Sequence, residues 1–299
     1  MSAKVIQWYP GHMAKARRQA TENIGKVDVV IELVDARIPE SSRNPIIDEI
    51  IADKKRILVL NKSDLAIPSQ TNQWLNYYES QGLPAVSIDS QHSRGINKLQ
   101  NKIKNLMSSY FTSRAEKGIK ERPIRLMILG IPNVGKSTLI NRFVGKNQAQ
   151  TGNKPGVTKA QRWLKVKRDF ELLDTPGILW PKFEDPDVGK KLAITGAIKD
   201  DLLYMDDLAL YLLNYLVEVN PTILTQRYRI TSSELSSLST VDLLLKITEN
   251  MGLRDDYDQA SHRLIVDLRQ NRLGTVTLDF VPKALKKEEK NEKINNKGD

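Results

Sequence analysis

Apolar residues along the chain follow two spacing regimes, and the change falls near residue 180. In the first part they come as short runs: Val27–Val34, broken only by acidic residues, then Arg56–Leu60, Ala85–Ile88, Ile124–Leu129 and Phe170–Leu173. Runs of that length between polar loops suit strands buried on both faces. Arg162–Lys167 reads with Phe170–Leu173 as a strand pair. Between the runs the spacing turns helical over 12–24, from Asn44-Pro45 to about Ala52, over 69–81, from Ile96 to about Tyr110, and over Lys136–Val144. Strands alternating with helices predict an α/β fold with a doubly wound, mainly parallel sheet. Residues 113–123 are charged, contain Gly and Pro, and read as a linker.

Beyond residue 180, the segments 192–203, 207–219, 241–252 and 258–270 carry apolar residues at helical spacing, which predicts a smaller all-α domain. Asn250-Met251-Gly252 reads as a helix end with a left-handed glycine. Residues 283–299 are charged and poor in apolar side chains, as in disordered tails. The predicted divisions are therefore 1–178, 179–282 and 283–299, with no internal repeat.

The strand ends carry the candidate chemistry. Gly130-Ile131-Pro132-Asn133-Val134-Gly135-Lys136-Ser137 follows a predicted strand and opens a predicted helix, the context of a complete phosphate loop. Its glycines let successive N–H groups, including those of Val134, Gly135 and Thr138, converge on one anion. Lys136 would reach the β- and γ-phosphates, Ser137 would ligate Mg²⁺, and the helix adds its positive end. Asp174-Thr175-Pro176-Gly177 ends another strand; Asp174 would hold Mg²⁺ and the Gly177 N–H would report the γ-phosphate. Asn61-Lys62-Ser63-Asp64 ends an earlier strand and has the pattern that selects guanine. Asp64 can accept from both N1–H and the 2-amino group, Asn61 can bond the base and brace the phosphate loop, and the Lys62 stem can lie along the base. Adenine would leave the Asp64 charge unpaired. Ser87-Ile88-Asp89 follows the next strand; its backbone is a candidate contact for the guanine O6, or it is a solvated loop.

Thr158 is the candidate second hydroxyl on Mg²⁺, with Thr151 as the alternative and an ordinary turn threonine as the plain reading. The Asn133 side-chain oxygen is a candidate ligand for a monovalent cation such as K⁺; the plain reading is a residue that stabilises the loop turn. Many GTPases place a glutamine directly after DxxG to orient water. Here that position is Ile178, which cannot polarise water, so slow intrinsic hydrolysis is expected. The order of motifs is also displaced, because the guanine-selecting tetrapeptide precedes the phosphate loop.

The 299 residues carry a net charge of +10 and a pI near 9.5. That balance favours a polyanionic partner, and simple solubility is the alternative. Residues 1–21 hold Lys4, Lys15, Arg17 and Arg18 without an acid, and residues 154–168 repeat that bias. Both flank the expected nucleotide site and point to nucleic acid. With no cysteine, disulfides and cysteine-based metal or catalytic sites are excluded. No run of apolar residues suits a membrane span, and no signal peptide is read at the N-terminus, so a cytoplasmic protein is expected.

With these residues identified, the chain resembles the circularly permuted GTPases of the bacterial ribosome biogenesis GTPase A (YlqF) type. The carriers are Trp8-Tyr9-Pro10-Gly11-His12-Met13-Ala14-Lys15-Ala16, Asp35-Ala36-Arg37-Ile38-Pro39, the tetrapeptide at Asn61, the phosphate loop, Lys154–Thr158, Asp174–Pro181 and the helical tail. The resemblance implies GTP hydrolysis to GDP in assembly of the large (50S) ribosomal subunit, with rRNA and ribosomal proteins as partners. It also implies activation by the particle and an RNA-binding helical domain. It maps a hydrolysis-assisting histidine to His12 and potassium dependence to Asn133; the plain reading of His12 is a helix-start residue that packs or binds RNA. A monomer is expected. The alternative function is a nucleotide-dependent RNA-binding or scaffolding module with negligible catalysis.

One expectation is testable at this level. Asp64→Asn should weaken GTP binding and favour a xanthine nucleotide, whose 2-oxo group reverses the donor pattern. Competition binding checks it, and unchanged GTP affinity would refute the role of Asp64.

Overall fold

The computed structural model describes residues 9–120, 122–145, 162–166 and 168–282. Thr151, Thr158, most of the basic loop and the 283–299 tail lie outside the described residues.

The apolar runs form a six-stranded sheet of order β3-β2-β1-β4-β6-β5. β1 is Val29–Asp35, β2 Lys55–Asn61, β3 Ala85–Ser87, β4 Ile124–Gly130, β5 Arg162–Val166 and β6 Phe170–Asp174. All neighbours pair in parallel except β5, which returns antiparallel on β6 at the sheet edge. Every residue of β1 is buried, as its position between β2 and β4 requires. The chain enters the sheet in its middle at β1, runs outward to β3, and comes back to the middle at β4.

The helices α1 (Gly11–Asn23), α2 (Pro45–Ile51) and α3 (Pro68–Ser80) lie close to the predicted spans. Asn44 caps α2 by accepting from the Ile46 N–H at 3.0 Å, and Pro45 takes the first turn, where its missing donor costs nothing. α4 (Ile96–Glu116) runs past the predicted end near Tyr110 into the expected linker. There Tyr110 and Phe111 stack edge-on 5.2 Å apart against the core, and Arg114 lies 5.6 Å from the Tyr110 ring. After α4 the chain is anchored by Asp28, which takes both Arg122 nitrogens at 2.7 and 2.8 Å and the Arg125 N–H at 2.9 Å. α5 (Lys136–Val144) has the predicted span.

The C-terminal part is helical: α6 (Pro186–Ile194), α7 (Met205–Val219), α8 (Pro221–Tyr228), α9 (Ser232–Ser237), α10 (Thr240–Asn250) and α11 (Tyr257–Arg269). Segment 192–203 is not the continuous helix its spacing predicts. α6 begins earlier, capped by Asp185, and stops at Ile194 because Gly196 turns left-handed at φ 85°. Arg269 of α11 covers that end, donating to Ile194 O at 2.9 Å and Ala193 O at 2.8 Å while pairing with Asp200. Gly252 at φ 71° closes α10 as expected.

The two parts are not separated by a gap. One apolar cluster runs from the sheet (Ile31, Ile128, Leu172) through Leu179 and Phe183 into α6, α7 and α11 (Leu192, Leu212, Leu264). Nor do the described residues finish among the helices. Residues 276–279 return extended along the sheet part: Val276 N donates to Leu65 O at 3.0 Å and Leu278 N to Arg37 O at 2.7 Å. The buried Asp279 accepts from Glu40 N, Ser41 N and Lys191 at 2.9, 2.7 and 2.8 Å. No described helix is long and apolar enough to cross a membrane.

Candidate nucleotide-binding site

Parallel pairing brings the C-terminal ends of β1, β2, β4 and β6 to one edge of the sheet, beside the switch point between β1 and β4 where open α/β sheets bind ligands. Asp35 lies level with Asn61, and Leu33 level with Gly130. The phosphate loop therefore leaves the sheet on one side of β1 and the guanine-selecting loop on the other. A side chain at Gly130 would strike Leu33 O at 2.4 Å. Gly135 sits at φ 102°, and a Cβ there would lie 2.3 Å from Asn61 Nδ2. Asn61 Nδ2 donates to Val134 O at 2.8 Å, and its Oδ1 accepts from Ser90 N at 3.1 Å. The expected brace between the two loops is thus a direct side-chain bond.

Lys136 opens α5 and donates to Gly130 O at 3.0 Å and Ile131 O at 2.6 Å. Burial pushes its ammonium down to about 7, the Asp174 charge opposing the shift and the Lys62 charge adding to it. Ser137 and Thr138 follow, half-buried, in the first turn. Asp174, buried, ends β6, the strand beside β4. A serine hydroxyl and an aspartate carboxylate are the hard oxygen donors that Mg²⁺ takes, so the residues fit that ion, which would neutralise phosphate charge here.

The segment after Asp174 is tied to the phosphate loop. The Thr175 hydroxyl donates to Ile128 O, and Ile178 N donates to Gly130 O at 3.1 Å. A Cβ on Gly177 would lie 2.8 Å from the Pro132 backbone and 3.1 Å from Lys136 Nζ, so only glycine allows the approach. Ile178 is fully buried, packed in a cluster with Ala16 and Ala20 of α1, Ile46 and Ile47 of α2, and Leu173. Asn44 Nδ2 donates to Ile178 O at 2.8 Å while its Oδ1 caps α2. In the sequence Asn44 marks only a helix start, and nothing local to it signals the contact 134 positions away. His12 is exposed in the first turn of α1, the helix that packs against Ile178. Asn133 adopts φ 57°, and its Nδ2 donates to Gly196 O at 2.7 Å, linking the phosphate loop to the turn after α6.

On the guanine side, Lys62 adopts φ 59° and its ammonium lies 3.0 Å from Asp35. Burial, and then the neighbouring Asp89 charge, push the Asp64 carboxyl up. Oxygen or nitrogen atoms of Asp64, Asp89 and His92 all lie within 4.8 Å of one another. A base edge that presents hydrogen-bond donors relieves such crowding of negative charge, and guanine has one. The Ser87–Asp89 expectation changes. The N–H groups of Ile88 and Asp89 donate to Leu60 O at 2.9 Å and Arg94 O at 3.0 Å. Ser87, at the end of β3, pairs with Leu60. The Ile88 and Asp89 N–H groups are thus spent on folding the loop that braces Asn61, which corrects their reading as contacts for guanine O6.

A second charged feature lies in the helical part. A cleft of 910 Å³ is lined by Arg227, Arg229, His262, Arg263 and Asp267, among others. Buried Asp267 accepts from Arg227 at 3.0 Å, Arg272 at 2.9 Å and the Tyr228 hydroxyl at 3.1 Å, with Arg263 at 3.8 Å. Burial alone would raise its carboxyl; the arginine bonds outweigh it and hold it low. One carboxylate thus fixes several guanidinium groups at a surface.

A phosphate loop, a DxxG loop and a guanine-selecting loop, meeting across β1 with the last of them first in the chain, define a circularly permuted GTPase. The family model described as "50S ribosome-binding GTPase" matches residues 125–271. Ribosome biogenesis GTPase A of Priestia megaterium is 52% identical over 280 residues, covering 92% of this chain and 96% of that protein. The protein of the same name from Bacillus cereus is 50% identical over 280 residues, with 92% and 94% covered. Mitochondrial ribosome-associated GTPase 1 of Mus musculus is 34% identical over 299 residues, with 92% and 90% covered. The chain belongs to the ribosome biogenesis GTPase A family. The crystal structure of GNP-bound YlqF from T. maritima shares the fold, with TM-score 0.61 and 23% identity over 89% of this chain and 98% of that one.

Two outcomes follow from this geometry. Ile178→Gln would bury an amide in an apolar cluster. We expect a stability loss of about 2 kcal/mol in denaturant titration and no gain in intrinsic GTP hydrolysis; faster turnover would show that the residue reaches the site. Second, a Lys136 that holds phosphate would do so as an ammonium, and burial pushes that ammonium down to about 7 without nucleotide. Nucleotide binding at pH 8 should therefore take up a proton, and affinity should fall as pH rises above about 7. Titration calorimetry at pH 8 in buffers of different ionisation enthalpy checks this; no proton uptake would refute it. In the nucleotide-free protein the unfolded chain holds the extra proton between about 7 and 10.5, so this group's contribution to stability rises with pH across that window.

Proposed function

We propose that this GTPase is a cytoplasmic assembly factor for the large ribosomal subunit, acting as a monomer whose hydrolysis is switched on by the particle. The observation that carries the reading is Ile178. It follows the γ-phosphate sensor directly, and its side chain is fully buried in the core, so it offers no polar atom to orient water. A group must then be brought in when the particle binds. His12 is the candidate, since it stands exposed on the helix packed against Ile178. Thr158 remains the proposed second Mg²⁺ ligand, and the Asn133 oxygen the proposed K⁺ ligand. Asn61, Lys62 and Asp64 read guanine, while the loop from Asn133 to Thr138 and Gly177 hold the phosphates.

RNA binding is supported by the exposed basic side chains of α1 and by the arginines gathered on Asp267. Arginine forks fixed in this way suit phosphate oxygens. Gly177 leads through Ile178 and Leu179 into the core shared with the helical part, so occupancy of the γ-phosphate position would bias the orientation of that part.

The test is GTP hydrolysis with and without isolated large-subunit particles, in potassium and in sodium. We expect a rate increase of at least about tenfold, the lower end of what positioning one general base contributes being larger still, with loss of stimulation but retained GTP affinity in His12→Ala. Hydrolysis indifferent to particles across a range of salt would refute the activation and leave a nucleotide-dependent binding module.

A further inference from the structure

The Asp35-Ala36-Arg37 segment stands at the end of the central strand, between the two ligand loops. Its geometry is specific. Asp35 accepts from Arg37 through Nε at 2.9 Å and Nη2 at 2.7 Å, and from the Arg37 N–H at 3.1 Å. The same carboxylate lies 3.0 Å from the Lys62 ammonium. Asp35 and Arg37 are both almost fully buried. Burial would raise the Asp35 carboxyl, but the Arg37 and Lys62 charges outweigh it and hold it well below the usual range.

A buried ion pair is a poor route to stability, because desolvation offsets much of its attraction and an apolar pair of similar volume does as well. Such groups are best explained by the register they impose. Here the register concerns Lys62. Its backbone is left-handed at φ 59°, a conformation that strains a residue with a Cβ. A lysine stem on a flexible loop would carry its ammonium into water. Anchored on Asp35, it is stretched back toward the sheet between the two ligand loops.

The loops that carry this pair are themselves joined from outside. Leu278 N donates to Arg37 O at 2.7 Å, just after Asp35, and Val276 N donates to Leu65 O at 3.0 Å, just after Asp64. Between them the Thr277 hydroxyl accepts from Ile67 N at 3.0 Å, and Thr277 O accepts from the Tyr215 hydroxyl of α7 at 2.8 Å. Three consecutive residues of the C-terminal return segment thus set the spacing of both loops and tie it to the helical part.

We propose that Asp35 is the positioning residue for Lys62, holding its stem over the guanine base, and that residues 276–278 lock the two loops in the spacing this requires. The proposal rests on the guanine-nucleotide site and not on the ribosomal reading, and it is tested without particles. Dissociation constants for GDP are measured on active-site-titrated, full-length protein for Asp35→Asn, Lys62→Ala and the double variant, with thermal melts alongside. Asp35→Asn should weaken GDP binding about tenfold, the scale of coupling between contacting charged groups. In the Lys62→Ala background it should add nothing. Equal losses in both backgrounds, or a lowered melting temperature with unchanged affinity of the active fraction, would overturn the proposal. If Asp35→Asn does not fold, Thr277→Val decides. It keeps the side-chain shape and deletes the bond to Ile67, and should weaken GDP binding a few-fold, about 1 kcal/mol being typical of one hydrogen bond. Unchanged affinity in that variant would equally sink the idea.

Discussion

Everything at the ligand edge depends on one close contact, the seating of the Asn61 amide against the phosphate loop. The amide donates to Val134 O, and the loop approaches so tightly that a Cβ at Gly135 would lie 2.3 Å from it. Through this side chain the first half of the chain and the second form one site. A single buried hydrogen bond contributes only about 1 kcal/mol net. Its importance is geometric, since an unmet amide or carbonyl here would be costly and few loop conformations satisfy both. Ser90 N, on Asn61 Oδ1, extends the same restraint to the loop after β3.

Permutation leaves that geometry intact because a parallel sheet is indifferent to where the chain begins. What it alters is the wiring. The strand that starts the sheet, β1, lies between the two ligand-bearing strands, and α4 carries the chain back from the edge to β4. The DxxG loop comes last and runs through Ile178 into the shared core, which also takes in α6, α7 and α11. Asn133 adds a second link, from the phosphate loop to the turn after α6. The helical part is joined to the nucleotide loops at both ends, by residues 178–183 and by the return segment at 276–279. Rigid packing of this kind turns small shifts at the phosphate loop into movements of a packed unit rather than local flexing.

Charge is used twice in the same way. Asp35 beside Arg37 and Lys62, and Asp267 beside Arg227, Arg263 and Arg272, each place one buried carboxylate among cations. The first arrangement orders a side chain at the base-reading loop. The second holds guanidinium groups in fixed positions on an accessible cleft. In both, the carboxylate limits the conformations of long, flexible side chains before any ligand arrives, which lowers the entropy lost on binding.

Local sequence suffices for the strands, most helices and the three nucleotide motifs, because these depend on local patterns: buried runs, helical spacing, and glycines in the left-handed or close-approach positions of a phosphate loop. It also determined that Ile178 cannot replace a glutamine, since that is a matter of chemistry alone. Only the packed structure shows that Arg269 of α11 covers the end of α6, which Gly196 closes locally. It likewise decided that Asn44 holds Ile178, that the Ile88 N–H is spent on Leu60 of β2, and that residues 276–279 lie on the loops of the first part. Alternating Val276, Leu278 and Phe280 hint at an extended segment, yet not at its partner. Each of these contacts joins residues far apart in the chain, and a pairing of that kind is specified only once the shared core has brought the two surfaces together.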